Sequence, residues 1–174
     1  MYQFNTSLPI VKPTLRELKE LRLIASLQFK GVGEEFIPSE VMVAKSRKTR
    51  KIRAVYLNDV PLAFLRAEDY KFALTIHGGL RLNDLLPMPY LRVIVGRDYC
   101  EAVEVSKGSI FASHVVFADP DIRPYDEVVA LCEDLKVIAV GKALMPGWLM
   151  TYFRRGGTVR VRESIRDIVK LKTM

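Results

Sequence analysis

Residues 107–143 read KGSIFASHVVFADPDIRPYDEVVALCEDLKVIAVGKA, and this stretch decides the fold of the second half of the chain. Gly108 marks a turn after a short amphipathic run. Phe111 to Val116 form a small apolar cluster. Asp119-Pro120-Asp121-Ile122-Arg123-Pro124 reads as a loop, because Asp bonds its own following backbone and Pro fixes φ. Two apolar strands follow, Glu127–Leu131 and Val137–Leu144, separated by Cys132-Glu133-Asp134-Leu135. This is the pattern of a small barrel, and no catalytic constellation lies inside it.

Working outward, Leu91–Val95 is a strand. Asp98 and Glu101 have capping spacing and start a short helix through Ala102, Val103 and Val105 that stops at Gly108. On the C-terminal side, Pro146 to Met150 opens a turn or short helix, and Arg154-Arg155-Gly156-Gly157 is a tight basic turn. Thr158-Val159-Arg160-Val161-Arg162 alternates strictly and closes the barrel as a half-buried strand. Period two puts Arg160 and Arg162 on one face, opposite Val159 and Val161. Guanidinium groups placed so favour phosphate. Residues 164–172 read as a terminal helix or a strand extension.

The first half begins irregularly, with Pro9 and Pro13 as breakers. Thr14 and Glu17 form a capping box that starts a helix. Its stripe of Leu15, Leu18, Leu21 and Ala25, widened by Leu23, Ile24 and Leu27, is expected to be core. Gly31 and Gly33 end the helix. Strands follow at Val41–Ala44, Ile52–Leu57, Pro61–Arg66 and Phe72–Ile76. Gly78-Gly79 breaks the last, and Leu80–Leu86 is a short helix. Pro87-Met88-Pro89 is the linker candidate, so the expected domains are 1–88 and 89–174, each with its own apolar pattern. The fold class is α+β: an N-terminal α+β domain with a short antiparallel meander, then a β pseudo-barrel.

A chain of 174 residues with nearly half of them apolar builds a packed core. No apolar run reaches the roughly 18–20 residues that span a bilayer, and the N-terminus lacks a signal-peptide pattern. Cys100 and Cys132 are too few for a disulfide framework and lack metal-ligand spacing, so they read as buried free thiols. The expected setting is cytoplasmic, with no membrane partner.

The net charge of +7 is concentrated. Residues 45–53, KSRKTRKIR, carry Lys45, Arg47, Lys48, Arg50, Lys51 and Arg53 with no acid. Removing these six leaves +7 − 6 = +1. Such a patch on a hairpin points to a polyanion, nucleic acid first and anionic lipid second; the bland alternative is a solvated hairpin tip. His77 and His114 have no ligand-spaced neighbours, and no P-loop, dinucleotide or hydrolase motif occurs, so no cofactor, metal or catalytic residue is expected.

The run from Lys107 to Arg162 resembles a PUA domain, a small pseudo-barrel RNA-binding module. The residues that carry this are 107–112, Val115-Val116, Ala118–Val128, Ala139–Ala143 and Gly156–Arg162. One position departs: where the family usually has Gly between the Pro and Asp of I-R-P-x-D-E-V, this chain has Tyr125, which leaves the form of that turn open. The segments Leu27–Gly33, Ser46–Thr49, Ile52-Arg53 and Leu65–Asp69 resemble the domain that precedes PUA in archaeal (archaeosine) tRNA-guanine transglycosylases. The large catalytic barrel of those enzymes does not fit in this chain.

The resemblance implies an RNA-binding protein of archaeal type, with tRNA as the foremost ligand, acting in RNA modification or processing and not itself an enzyme. It also implies RNA contacts at Lys107, Gly108, Ser109 and Phe111 and at Arg154, Arg155, Arg160 and Arg162. The alternatives are a non-catalytic subunit working with a separate catalytic subunit, and a protein-interaction scaffold.

Overall fold

The computed structural model describes residues 8–106 and 108–172, with the side chains of Ser106 and residues 169–172 left out. The chain divides into two compact units, Met1–Ala73 and Leu74–Met174.

In the first unit, helix α1 (Leu15–Gln28) starts from the expected capping box. The Thr14 Oγ1 accepts from the Glu17 amide, and Glu17 accepts from the Thr14 amide at 2.8 Å. Leu18, Leu21 and Ala25 are buried, whereas Leu15, Leu23 and Leu27 stand outward at 80, 61 and 81 % exposure. The leucine stripe is thus not all core. The buried face is narrow because it continues through Phe29, Phe36 and Phe72, whose rings lie 4.9–6.5 Å apart. A short helix α2 (Gly33–Phe36) carries Phe36 into this cluster.

Five strands form one sheet in chain order: β1 (Ile10–Val11), β2 (Met42–Lys45), β3 (Ile52–Leu57), β4 (Val60–Leu65) and β5 (Phe72–Leu74). Asn58 and Asp59, both with positive φ, make the two-residue turn between β3 and β4. That is the turn whose twist matches paired strands. The Gln28 side-chain amide exchanges hydrogen bonds with the Phe72 backbone at 2.7 and 2.8 Å, fastening α1 to β5.

The second unit opens with α3 (Ile76–Leu85), which the sequence reading groups with the first domain. Gly78 and Gly79 lie inside this helix, and Thr75 caps it. A Cβ on Gly79 would sit 2.1 Å from the Val140 side chain, so glycine permits the close approach. The unit's sheet contains β6 (Arg92–Val95), β7 (Ser109–Phe111), β8 (Val115–Ala118), β9 (Glu127–Cys132), β10 (Val137–Ala143) and β11 (Gly157–Ser164). Its order is β7-β11-β10-β9-β6-β8, with β6 and β9 parallel and the other pairs antiparallel.

The two edge strands β7 and β8 are joined by only the 3-10 turn Ala112–His114. Four residue steps reach at most about 14 Å, whereas five flat strand spacings cover about 24 Å. The sheet is therefore curled into the pseudo-barrel that the sequence pattern predicts. Helices α4 (Arg97–Ser106), α5 (Gly147–Met150) and α6 (Ile165–Lys172) complete the unit. Asp98 lies in the first turn of α4 and not at its cap. That position also suits a carboxylate, because it faces the unpaired amides.

Two features of this unit are not visible in the spacing of the sequence. Cys100 and Cys132 form a disulfide and are not free thiols. Parallel pairing sets Val95 beside Cys132, and α4 turns back over that strand end, so the Cα atoms come within 5.7 Å. Arg92, 1 % exposed, donates to the carbonyls of Asn83 and Leu86 at 2.9 and 3.0 Å and to the Asn83 side chain at 2.8 Å. It closes the C-terminal end of α3, where carbonyls lack helical partners. Burial lowers its pKa, and the nearby Asp119 and Asp84 charges oppose that.

Candidate nucleic-acid interface

The basic segment is the connection between β2 and β3. Its turn is closed by Ser46 N–H to Lys51 O at 2.9 Å and Arg50 N–H to Ser46 O at 2.8 Å, with Arg50 left-handed at φ 57°. This geometry separates the six cations. Arg47, Lys48 and Arg50 project from the turn, exposed and without a partner among the described residues. Lys45 is held by Glu17, Nζ to Oε1 2.6 Å, with only 14 % of its side chain exposed. That bond, with the Thr14 amide, keeps the Glu17 carboxyl below its ordinary range. Lys51 donates to the Tyr70 hydroxyl at 2.6 Å, and Arg53 is half-buried on β3.

In the second unit the predicted contacts come from two neighbouring segments. β7 pairs with β11 so that Ser109 faces Arg160 and Phe111 faces Gly157. The Ala112 amide donates to the Gly156 carbonyl at 2.9 Å, tying the glycine turn to the end of β7. Gly108 is exposed, Ser109 half-buried, and Phe111 47 % exposed. Arg154, Arg155 and Arg160 are exposed and unpaired among the described residues. Lys107 lies outside the described residues.

Arg162 does not share the face of Arg160. The β10–β11 register shifts between Val140 and Gly141, so that Val140 opposes Glu163 and Gly141 opposes Val161. Arg162 is the extra residue of a β-bulge, which re-aims its side chain. A Cβ on Gly141 would lie 2.3 Å from the Arg160 carbonyl, so this approach needs glycine. The re-aimed guanidinium grips the fully buried Glu127 carboxylate, with Nη2 to Oε1 at 2.7 Å, and donates to the Leu74 carbonyl at 3.1 Å. Glu127 also accepts from the Leu74 amide at 2.9 Å. The strict alternation of the sequence carries no sign of this bulge.

The structure adds aromatic groups beside Phe111. His114 stacks on Tyr99 with ring centres 4.3 Å apart and meets Phe111 edge-on at 5.5 Å. The Phe111 amide donates to His114 Nδ1 at 3.4 Å. Burial lowers the His114 pKa below its ordinary 6.5, so the imidazole is neutral at neutral pH. Tyr99 precedes His114 by fifteen positions on another element, and no local pattern links them.

Tyr125 has φ 72°, the left-handed conformation in which glycine is at ease. Its amide donates to the Ala143 carbonyl at 2.8 Å, and its ring lies 5.3 Å from Lys142 Nζ. The turn keeps the shape a glycine would give, with the strain offset in part by the cation–π contact. Among the described residues no group of three or more His, Cys, Asp or Glu side chains is arranged to hold a metal ion. No helix there is long and apolar enough to cross a membrane.

Residues 19–89 match the family described as the patch-forming domain C2 of tRNA-guanine transglycosylase, and residues 92–165 match the PUA domain family. The tRNA-guanine(15) transglycosylase of Pyrococcus furiosus is 39 % identical over 160 residues, which is 91 % of this chain and 27 % of that protein. The protein of that name from Methanobrevibacter smithii is 31 % identical over 167 residues, 95 % of this chain and 25 % of its own length. The chain thus spans about a quarter of the relatives it matches. Among solved structures, a hypothetical protein of Pyrococcus horikoshii superposes with a TM-score of 0.74 at 23 % identity, covering 95 % of this chain and all of that one. A conserved PUA domain protein from Thermoplasma acidophilum gives 0.67 at 19 % identity over 92 % of this chain and 97 % of that one. These two show the fold.

Proposed function

We propose that this chain, which joins a C2-type patch-forming domain to a PUA domain, binds structured RNA, with tRNA its foremost ligand, in RNA modification. One observation carries the reading. Folding leaves Arg47, Lys48, Arg50, Arg154, Arg155 and Arg160 exposed and without an acidic partner among the described residues. Cations left unpaired in a chain of net charge +7 are available to phosphates. Gly108 and Phe111 lie beside the second group and suit contact with RNA backbone and unstacked bases.

The experiment is a titration of a tRNA transcript at several salt concentrations. If about six phosphates are neutralised, the log–log slope has a magnitude of about 4–5. Replacing Arg47, Lys48 and Arg50 together with glutamine, or Arg154, Arg155 and Arg160 together, lowers both affinity and slope. An affinity indifferent to salt and to both triple replacements overturns the proposal.

A second reading is supported by the outer face of α1. Leu15, Leu23 and Leu27 form an exposed stripe at helical spacing. The matched transglycosylases carry some three-quarters of their length outside the region this chain covers. A separate catalytic polypeptide seated on that stripe would make this chain the RNA-delivering subunit. Co-expression with a tRNA-guanine transglycosylase truncated before its C2 domain tests it: co-purification that Leu23→Glu and Leu27→Glu abolish supports the subunit, and failure to co-purify removes it.

A further inference from the structure

The first unit has a cavity that the basic turn and α1 share. Its volume is about 240 Å3, open to solvent on one side. Its floor is carbon, from Leu21 and Ile24 of α1, Ile52 of β3 and Leu65 of β4. Its rim holds Glu17, Glu20, Arg50, Lys51 and Tyr70. An apolar floor with cations on one part of the rim and carboxylates on another is an arrangement for a flat, amphipathic ligand that carries a phosphate.

The rim is held in place. Tyr70 has a left-handed backbone, φ 54°, in the turn between β4 and β5. That turn is closed by Arg66 N–H to Lys71 O at 3.0 Å and braced by Asp69, which accepts from Arg66 and from the Lys71 amide. The turn bearing Arg50 has the same closure, Ser46 to Lys51. Lys51 Nζ is 2.6 Å from the Tyr70 hydroxyl and 5.3 Å from the ring centre. The two distances together put the ammonium beyond the hydroxyl, near the ring plane, so it does not occupy a ring face. The ring is 43 % exposed.

The two carboxylates differ. Glu17 is committed to Lys45 and Thr14. Glu20 is exposed, with no partner among the described residues.

We propose that this cavity, on the reading that the chain binds RNA, receives a single unstacked purine of the bound RNA, with guanine preferred. The base stacks on Tyr70 above the carbon floor. Arg50 and Lys51 take its flanking phosphates. Glu20 accepts from the base edge. Guanine presents two adjacent donors there, N1–H and the N2 amino group, which a carboxylate accepts together, whereas adenine and cytosine offer one amino group and uracil one imino group.

The test uses the full chain and a hairpin RNA with one bulged nucleotide, either guanosine, adenosine or an abasic residue, read by fluorescence anisotropy. The bulged guanosine RNA binds about tenfold more tightly than the abasic one, as stacking of one base on an aromatic ring implies. Tyr70→Ala removes most of that difference, whereas Tyr70→Phe, which keeps the ring and loses only the Lys51 bond, preserves it. Glu20→Gln erases the preference for guanosine over adenosine but keeps the advantage of both over abasic. Salt-sensitive binding that does not distinguish the base from the abasic residue overturns the cavity proposal and leaves RNA binding standing. Absence of binding to any of the three, and to tRNA, overturns the RNA reading itself.

Discussion

At the scale of single residues, neighbouring arginines of one strand have opposite duties. Arg160 is exposed, whereas Arg162 compensates a carboxylate with no exposure. Replacing Arg162 with leucine removes the cation that compensates the buried Glu127 carboxylate and costs about 3–5 kcal/mol in urea unfolding. Arg160→Ala changes stability by less than about 0.5 kcal/mol and shows itself in tRNA affinity instead. Lys45 and Glu17 give a pH signature. The pair lowers the Glu17 pKa below the ordinary 4.5, so its stabilisation is complete above that value and is lost as pH falls through the lowered one. Lys45→Met therefore costs up to about 1 kcal/mol at neutral pH, and its unfolding curve converges on that of the parent in acid. At Tyr125, Gly relieves the left-handed strain and Ala retains it, so Tyr125→Ala is less stable than Tyr125→Gly by about 1 kcal/mol in thermal unfolding.

At the scale of elements, most of the secondary structure was legible. The capping box at Thr14, the meander from residue 42 to 74 and the paired strands β9 and β10 follow from local chemistry, and each appears. The misreadings have a common cause: a tertiary neighbour changed the meaning of a local signal. Gly78-Gly79 reads as a breaker, but Gly79 belongs to a helix that must pass close to Val140. The α1 leucines read as core because periodicity cannot tell which part of a wide stripe meets a partner. The cysteines read as thiols because their approach depends on the parallel register of β6 and β9. The disulfide closes a loop of 32 residues, for which chain entropy gives about 3–4 kcal/mol. The Cys100→Ala, Cys132→Ala double variant accordingly loses that much in denaturant unfolding. A reductant shifts the parent to the same midpoint and leaves the variant unmoved.

At the scale of the whole molecule, the candidate site was legible as charge and less so as geometry. Composition pointed to the basic turn as a candidate, and the family resemblance pointed to the Gly108–Phe111 and Arg154–Arg160 segments. Which cations are taken up within the fold was decided by partners distant in sequence: Glu17 for Lys45, Tyr70 for Lys51 and Glu127 for Arg162. The cavity under the basic turn was not legible as a site, because α1 supplies four of its residues and β3, β4 and two turns, distant in sequence, supply one or two each. The order of strands in the second sheet has a consequence for how the chain is made. β11 is the last of its strands to be synthesised, yet it lies between β7 and β10. During translation β7 therefore waits without a neighbour until some fifty further residues have left the ribosome tunnel, and the curl of the sheet closes only then. Folding of this half is a late event in the life of the nascent chain, and its Gly108–Phe111 segment takes shape with the arrival of the strand that carries Arg160.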